Sequence, residues 1–444
     1  MRINRTRMED WIFRKIGGTA SGSHLTRDAL RQYQAEKLRE TVAYAGQNSP
    51  FYRARLADFP VETLQTPEDV SRLPFTTAQD IRKAPLKFLC VSQSDISRMV
   101  TLKTSGTTAN PKRLCFTAQD LELTVDFFAH AMRSFVKPGQ RVLILLPGEQ
   151  PDSVGDLLRR GLDRIGVDGI VSGPVADPAQ TADTILKQEI DGLVGIPTQV
   201  LQLVRTDGVK KIPAGRIKSV ILSTDYVPEA VKKTLESAWG CRVFNHYGMT
   251  EMGYGGGVEC HAQCGYHFRD ADLLMEIVDP ATGQPKQDGE YGEAVFTTLT
   301  RHGMPLIRYR TGDLTRFLPD PCPCGTVLKR MEPVRGRIAG SIALKNGQML
   351  TVRDLDERLL TLPELLNYQA EITRENGLDL LRISVYTSAG NDPQLAETIR
   401  QTVSGIPAIQ AALNESVLSV GEIQFSPENW FTTGMKKRKI EDRR

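Results

Sequence analysis

The chain has 444 residues, 40% of them hydrophobic and 25% charged, a globular balance long enough for two or three domains around a sizeable core. Its 56 Lys and Arg nearly cancel 53 Asp and Glu, leaving a formal charge of +3, so no global field favours nucleic acid or an anionic membrane. The opening MRINRTRMEDWIFRKI lacks the apolar stretch of a signal peptide, and no run approaches the roughly 18 apolar residues of a membrane span, so a cytoplasmic protein is expected.

After the Gly/Ser-rich bend Gly17–Ser23, residues Leu30, Tyr33, Leu38, Val42 and Tyr44 fall near helical spacing and predict an amphipathic helix reaching Gln47. From about residue 118 to 245, helical stretches such as Pro228–Trp239 alternate with the short apolar runs Val142–Leu146, Gly192–Ile196, Val220–Leu222 and Val243–Asn245. Buried parallel strands with crossover helices have this texture. Between about 273 and 318 the text changes to LLMEIVD, a turn region Pro280–Gly292, EAVFTTL and LIRYRTGDLTRF, as in an antiparallel sheet. Beyond Arg337 the pattern predicts a hairpin around Lys345–Gly347, a helix near Val352–Leu360, strands near 367–374 and 379–386, and a helix near 392–403. The expected fold is therefore α/β: a large N-terminal domain, 1–336, with parallel α/β sheets plus an antiparallel sheet, and a small α+β C-terminal domain, 337–444, which the resemblance given below implies is mobile. The basic end Lys436–Arg444 reads as a solvated tail, and no internal repeat is apparent.

Four segments carry chemistry. Thr104–Lys112, TSGTTANPK, combines small residues and hydroxyls that let backbone N–H groups cradle phosphates, with Lys112 as a mobile positive charge. It is not the GxxxxGK[ST] loop, which runs straight into a helix. His246–Glu251, HYGMTE, follows an apolar strand and places a ring, a hydroxyl and a carboxylate at the carboxyl end of a sheet, where α/β folds bind ligands. Glu251 there suits Mg²⁺. Tyr309–Asp313, YRTGD, sets a carboxylate in a Gly turn that can accept two ribose hydroxyls, and Arg335–Arg337, RGR, lies at the expected domain junction.

In this order the four segments resemble the adenylate-forming superfamily of acyl-CoA synthetases, luciferases and peptide-synthetase adenylation domains, and most closely its phenylacetate-CoA ligase branch. The resemblance runs from about Tyr52 to the C-terminus, and FTTLTRHGMPLIRYRTGDLTRF and PCPCG are especially close. It implies that Thr104, Ser105, Gly106, Thr107, Thr108 and Lys112 hold phosphates, and that His246, Tyr247, Gly248, Thr250 and Glu251 flank the acyl site and bind nucleotide and Mg²⁺. It also implies that Asp313 binds ribose, that Tyr309 is a nucleotide-site aromatic, and that Arg335 and Arg337 sit beside ribose and phosphate. Ser223, Thr224 and Asp225 stand where relatives carry a Gly-Ala-Glu-like adenine-facing loop. The implied activity is AMP-forming carboxylate–CoA ligation: a carboxylate, of an aromatic phenylacetate-like or other compact acid, attacks the α-phosphate of ATP, and the acyl-adenylate then passes to the thiol of CoA. The implied partners are small molecules, with no nucleic acid and no membrane, and relatives often dimerise.

One departure bears on the reaction. The family's C-terminal Gly-Lys-x-x-Arg is here Gly434-Met435-Lys436-Lys437-Arg438, so Met435 replaces the adenylation lysine and Lys436 is the nearest substitute. That change motivates two alternatives: an adenylating enzyme that passes the acyl group to a carrier-protein thiol or an amine, and a catalytically impaired nucleotide-binding regulator.

Seven cysteines, an odd number, argue against a disulfide framework, and four of them, Cys260, Cys264, Cys322 and Cys324, cluster in two short segments. Cys260, His267, Cys322 and Cys324 supply the thiolates and imidazole of a closed tetrahedral zinc site, with Cys264 and His261 as further candidates for the fourth ligand. Relatives in the branch carry a Cys, a His seven residues on and a Cys-Pro-Cys-Gly segment, which these positions match. His130 and His302 show no partner at a telling spacing, and Cys115 is not read as a nucleophile.

Overall fold

A computed structural model of the chain describes residues 6–18, 24–102, 110–206, 211–375, 377–427 and 440–444. These form mixed α/β architecture that divides into two compact units: residues 1–139, 148–169 and 244–333 in one, and 140–147, 170–243 and 334–444 in the other. The C-terminal segment thus belongs to a body that also takes in part of the parallel α/β region. Among the described residues no helix is long and apolar enough to cross a membrane.

In the first unit the expected amphipathic helix spans Arg27–Asn48, opens on Thr26, whose hydroxyl accepts the Ala29 N–H at 3.2 Å, and buries Leu30, Leu38, Val42 and Ala45. The antiparallel strands Ile96–Leu102 and Lys112–Thr117 pair with Leu102 opposite Lys112. Thr117 then caps the helix Ala118–Met132 in a capping box with Asp120. The text between about 273 and 318 folds as antiparallel strands Leu273–Val278, Gly292–Thr298 and Tyr309–Thr315, with a bulge between Glu293 and Val295. A second antiparallel run joins the end of Arg242–Tyr247 to Gly257–Glu259 and Tyr266–Phe268. The short N-terminal helix Arg7–Lys15 was not evident from periodicity, yet it buries Trp11, whose Nε1–H donates to Asp126 at 2.8 Å.

The second unit contains the parallel strands Arg141–Ile144, Gly192–Gly195 and Ser219–Leu222, buried and apolar beyond Arg141 and Ser219 as buried parallel strands tend to be, with helices Pro178–Lys187, Pro197–Arg205 and Glu229–Trp239. Its C-terminal part is a sheet built on the long hairpin Leu365–Glu375 and Leu378–Thr387, with helices Val352–Leu359, Pro393–Ser404 and Pro407–Asn414. Arg205 fastens this part to the helix Pro197–Arg205: its guanidinium donates to the carbonyls of Leu360 (2.7 Å), Leu362 (2.9 Å) and Leu365 (2.9 Å).

The end of the chain corrects the expectation of a solvated tail. Residues Ile440–Asp442 form a parallel strand beside Leu365–Glu375, and the Arg444 guanidinium donates to Asp379, a fully buried carboxylate, at 2.8 Å. The interrupting acidic residues are what allow this, since Ile440 turns inward while Glu441 and Asp442 pair with Arg443 and Arg444. We expect Arg444→Ala to destabilise the protein by about 2 kcal/mol, because Asp379 keeps its burial but loses a charged partner. Calorimetric unfolding of the variant measures this.

Candidate active site

Two of the motif segments cross and touch twice. The strand Arg242–Tyr247 runs into the short 3₁₀ turn Thr250–Met252, while Tyr309 opens the strand Tyr309–Thr315. At one end of the crossing the Tyr247 hydroxyl donates to Asp313 Oδ2 at 2.8 Å; at the other the Tyr309 hydroxyl donates to Glu251 Oε1 at 3.0 Å. Lys112, the first residue of its strand, ion-pairs through Nζ with Glu251 Oε1 and lies 3.2 Å from the Tyr309 hydroxyl. Lys112 and Glu251 are only 9% and 5% exposed, so each charge depends on the other.

Backbone geometry makes this crossing possible. A Cβ at Gly248 would lie 2.3 Å from the Tyr254 carbonyl oxygen, and Gly253 adopts φ +77°, so the chain turns tightly enough to present Glu251 inward only with glycine at these places. Gly312, with φ +75°, donates its N–H to Glu293 at 2.9 Å, and the Asp313 N–H donates to Thr311 Oγ1 at 3.0 Å.

Burial alone would raise the Glu251 carboxyl, but the Lys112 charge and the hydrogen bonds from Lys112 and Tyr309 outweigh it and hold the group below the usual carboxylate range. Burial and the nearby Arg269 push His246 down to about 4, so its imidazole is neutral at neutral pH. Burial also raises the Cys115 thiol, consistent with a residue that is no nucleophile. Tyr309 is 2% exposed and its hydroxyl donates to Glu251.

The structure brings together Lys112, Tyr247, Glu251, Tyr309 and Asp313, with Thr250 half-buried at the head of the turn. Ser223, Thr224 and Asp225 belong to the other unit. Ser223 is buried after the strand Ser219–Leu222, Thr224 has φ +74°, and Asp225 accepts the Tyr226 N–H at 2.9 Å. A β-branched residue at positive φ is a strained backbone position, the kind that gathers at ligand sites. Arg335 and Arg337 are exposed in that unit, around the short strand Gly336–Arg337. Thr104, Ser105, Gly106, Thr107, Thr108, Met435 and Lys436 lie outside the described residues. His130 does have a partner, since its Nδ1 lies 3.3 Å from Asp126 Oδ1 one helical turn back. Two buried arginines to which the sequence reading gave no role, Arg269 and Arg301, reach the backbone of the Glu251 turn; each follows shortly after a buried strand.

A second constellation lies in the same unit. Cys260, His267, Cys322 and Cys324 are all buried, with ligand atoms within 4.8 Å of one another. Cys260 Sγ lies 3.6 Å from Cys322 Sγ, and Cys324 Sγ lies 3.6 Å from His267 Nε2. A tetrahedral ion with sulfur bonds of about 2.3 Å has edges of about 3.8 Å, so these distances suit one. His267 Nδ1 lies 3.1 Å from the Lys329 carbonyl, which leaves Nε2 facing the thiols. Of the two further candidates, Cys264 is half-buried with its sulfur 2.9 Å from Arg330 Nη1, and His261 is exposed.

Residues 160–298 match the AMP-binding enzyme family. The phenylacetate-coenzyme A ligase of Thermus thermophilus is 31% identical over 375 residues, 82% of this chain and 83% of that protein, and the Escherichia coli enzyme of the same name is 28% identical over 370 residues, 81% and 82% of the two chains. Among solved structures, 2-hydroxyisobutyryl-CoA ligase in its postadenylation state superposes with a TM-score of 0.78 at 22% identity, covering 96% of this chain and 95% of that one, a likeness of fold. The chain belongs to the adenylate-forming superfamily, in its phenylacetate-coenzyme A ligase-like branch of AMP-forming acid–CoA ligases.

Proposed function

We propose that the protein converts a compact aromatic acid of the phenylacetate type into its CoA thioester by way of an acyl-adenylate. The observation that carries this reading is the double contact between the HYGMTE and YRTGD segments, Tyr247 on Asp313 and Tyr309 on Glu251, closed by Lys112. The acid class rests on relatives named phenylacetate-coenzyme A ligase that share 27% to 31% identity.

In this reading the ribose hydroxyls donate to Asp313, whose carboxylate Tyr247 orients. Lys112 and the loop Thr104–Thr108 face the phosphates, and Lys112 is shared between them and Glu251. The acid's carboxylate oxygen attacks the α-phosphorus, its bond to the bridging oxygen breaks, and pyrophosphate leaves. The CoA thiolate then attacks the acyl carbon and AMP departs with the bonding pair. Lys436 takes the place of the lysine missing at Met435, and segment 337–444 acts as the mobile lid between the two half-reactions. Arg335 and Arg337, at the junction with that segment, approach ribose and phosphate, and Ser223, Thr224 and Asp225 face the adenine. Thr250, beside Glu251, contributes a hydroxyl to the phosphates.

Glu251 offers a hard carboxylate oxygen and already balances one positive charge, so it fits Mg²⁺, which when bound offsets phosphate charge. Cys260, His267, Cys322 and Cys324 fit Zn²⁺ as a structural ion that pins the two cysteine-bearing segments together.

Acid-dependent ATP–pyrophosphate exchange across a panel of carboxylic acids, followed by thioester detection with CoA, tests the function. Exchange and thioester with phenylacetate are expected; exchange without thioester would overturn CoA as the acceptor, and thioester only with aliphatic acids would overturn the acid class. Lys436→Ala should lower exchange, whereas unchanged exchange would show that Lys436 is no stand-in. Metal analysis of the purified protein should find one equivalent of zinc, lost in Cys322→Ser together with several degrees of melting temperature. Lys112→Met should destabilise the fold by about 3 to 5 kcal/mol at neutral pH, since Glu251 stays buried without its cation. Its carboxyl then titrates above the unfolded value, so protonation relieves the burial and the penalty at pH 5 should be smaller than at pH 8. Melting curves of both proteins at the two pH values check the sign.

A further inference from the structure

The 3₁₀ turn that carries Glu251 spends its own hydrogen bonds early. The carbonyls of Met249 and Thr250 accept from Met252, Tyr254 and Gly253, and that of Gly253 accepts the Gly255 N–H at 2.8 Å, which leaves those of Glu251 and Met252, and the second lone pair of Gly253, to donors elsewhere in the protein. Each is met there by a buried side chain. Arg301 Nη1 donates to the Glu251 carbonyl at 2.8 Å, Arg269 Nη2 donates to the Met252 carbonyl, and Thr124 Oγ1 donates to the Gly253 carbonyl at 2.9 Å. Arg301 also reaches the other half of the site, since its Nη2 donates to the Cys115 carbonyl at 2.9 Å on the strand that Lys112 begins.

Both guanidiniums are buried, Arg269 at 4% and Arg301 at 7% exposure, and each lies over a ring, Arg269 over Phe127 at 5.3 Å and Arg301 over Phe116 at 4.4 Å. Among the described residues neither forms an ion pair with a carboxylate. Two buried cations that make no close ion pair, with Asp272 near Arg269 and Asp120 and Glu251 near Arg301 acting only at longer range, are a poor way to stabilise a turn that apolar packing could have filled. A planar fork with donors at fixed separation is, however, a good way to set the distance between two backbones. Gly253 completes the fit, because a Cβ there would lie 3.2 Å from both Arg269 Nη2 and Thr124 Oγ1.

We propose that Arg269 and Arg301 are positioning residues of the site, acting through the main chain of the Thr250–Met252 turn to hold the Glu251 carboxylate against Lys112 and in place for a cation-bound triphosphate. The proposal rests on the reading of Glu251 as the Mg²⁺ residue, and its test separates the two. ATP binding is measured calorimetrically with Mg²⁺ and with EDTA, on the full chain, alongside the melting temperature. Arg301→Lys and Arg269→Lys, which keep the charge but lose the fork, should weaken binding with Mg²⁺ about tenfold and leave binding in EDTA within twofold. Glu251→Gln should do the same, and adding Arg301→Lys to it should produce no further loss, as expected of groups acting through one another. Arg205→Lys, another arginine that holds carbonyls, should lower the melting temperature without changing the Mg²⁺ dependence. Thr124→Val, which removes one hydroxyl at nearly constant shape, serves if the lysine variants do not fold, with a smaller loss in the same direction. Equal weakening with and without Mg²⁺, or a full further loss in the Glu251→Gln background, would overturn the clamp. Undiminished Mg²⁺ dependence in Glu251→Gln alone would remove the reading of Glu251 and the proposal with it.

Discussion

The first unit is organised around a charge that cannot be left alone. Lys112 and Glu251 come from segments 139 residues apart, and both are buried, so removing either leaves the other in the interior without its partner. Satisfying that pair requires the strand Lys112–Thr117 to register against Ile96–Leu102, the chain to turn twice at glycine after Tyr247, and Tyr309 to arrive from a third direction with its hydroxyl free to donate. Tyr52 shows how far the demand extends: its buried hydroxyl accepts the Ile307 N–H at 2.9 Å and thereby fixes the approach to Tyr309. Arg308, with φ +46°, completes that approach by pairing with Glu276 at 2.9 Å and donating to the carbonyls of Ser71 and Leu73.

Much of this was legible in the residues, for identifiable reasons. Amphipathic spacing announces Arg27–Asn48, and fully apolar runs announce the parallel strands, because both signals are local. The motif segments could be placed on strand ends and turns for the same reason, and their joint order pointed to the family. What could not be read is what depends on distant partners. Arg301 looks like any charged residue in FTTLTRHGM until two carbonyls, one 50 and one 186 residues away, are brought to it. The C-terminal charges looked solvated because Asp379, their buried partner, is 65 residues earlier. Cys264 could not be set apart from Cys260 by spacing; the difference is that Arg330 takes the Cys264 sulfur while Cys260 faces Cys322.

The thiol and imidazole cluster and the N-terminal helix belong to one mechanical story. Just beyond Cys324, the Thr326 hydroxyl and the Val327 N–H donate to Glu9, which is buried on the helix Arg7–Lys15. The same helix pairs Lys15 with Asp272 at 2.7 Å, beside the strand Leu273–Val278. The cysteine-bearing loop is thus held from two sides, by its own ligand atoms and by a helix some three hundred residues earlier in the chain. A metal would stiffen what is already a closed circuit of contacts.

The pairing of Ile440–Asp442 with the strand Leu365–Glu375 makes these residues part of a sheet rather than of a tail. Upstream, Gln424–Phe425 pairs with the strand Leu378–Thr387 and the Ser426 N–H donates to the Val385 carbonyl at 2.9 Å. Gln424–Phe425 and Ile440–Asp442 therefore lie beside the two strands of one hairpin, Leu378–Thr387 and Leu365–Glu375. Each short strand also covers an edge of that hairpin, so these pairings keep its long strands from offering open backbone to another chain.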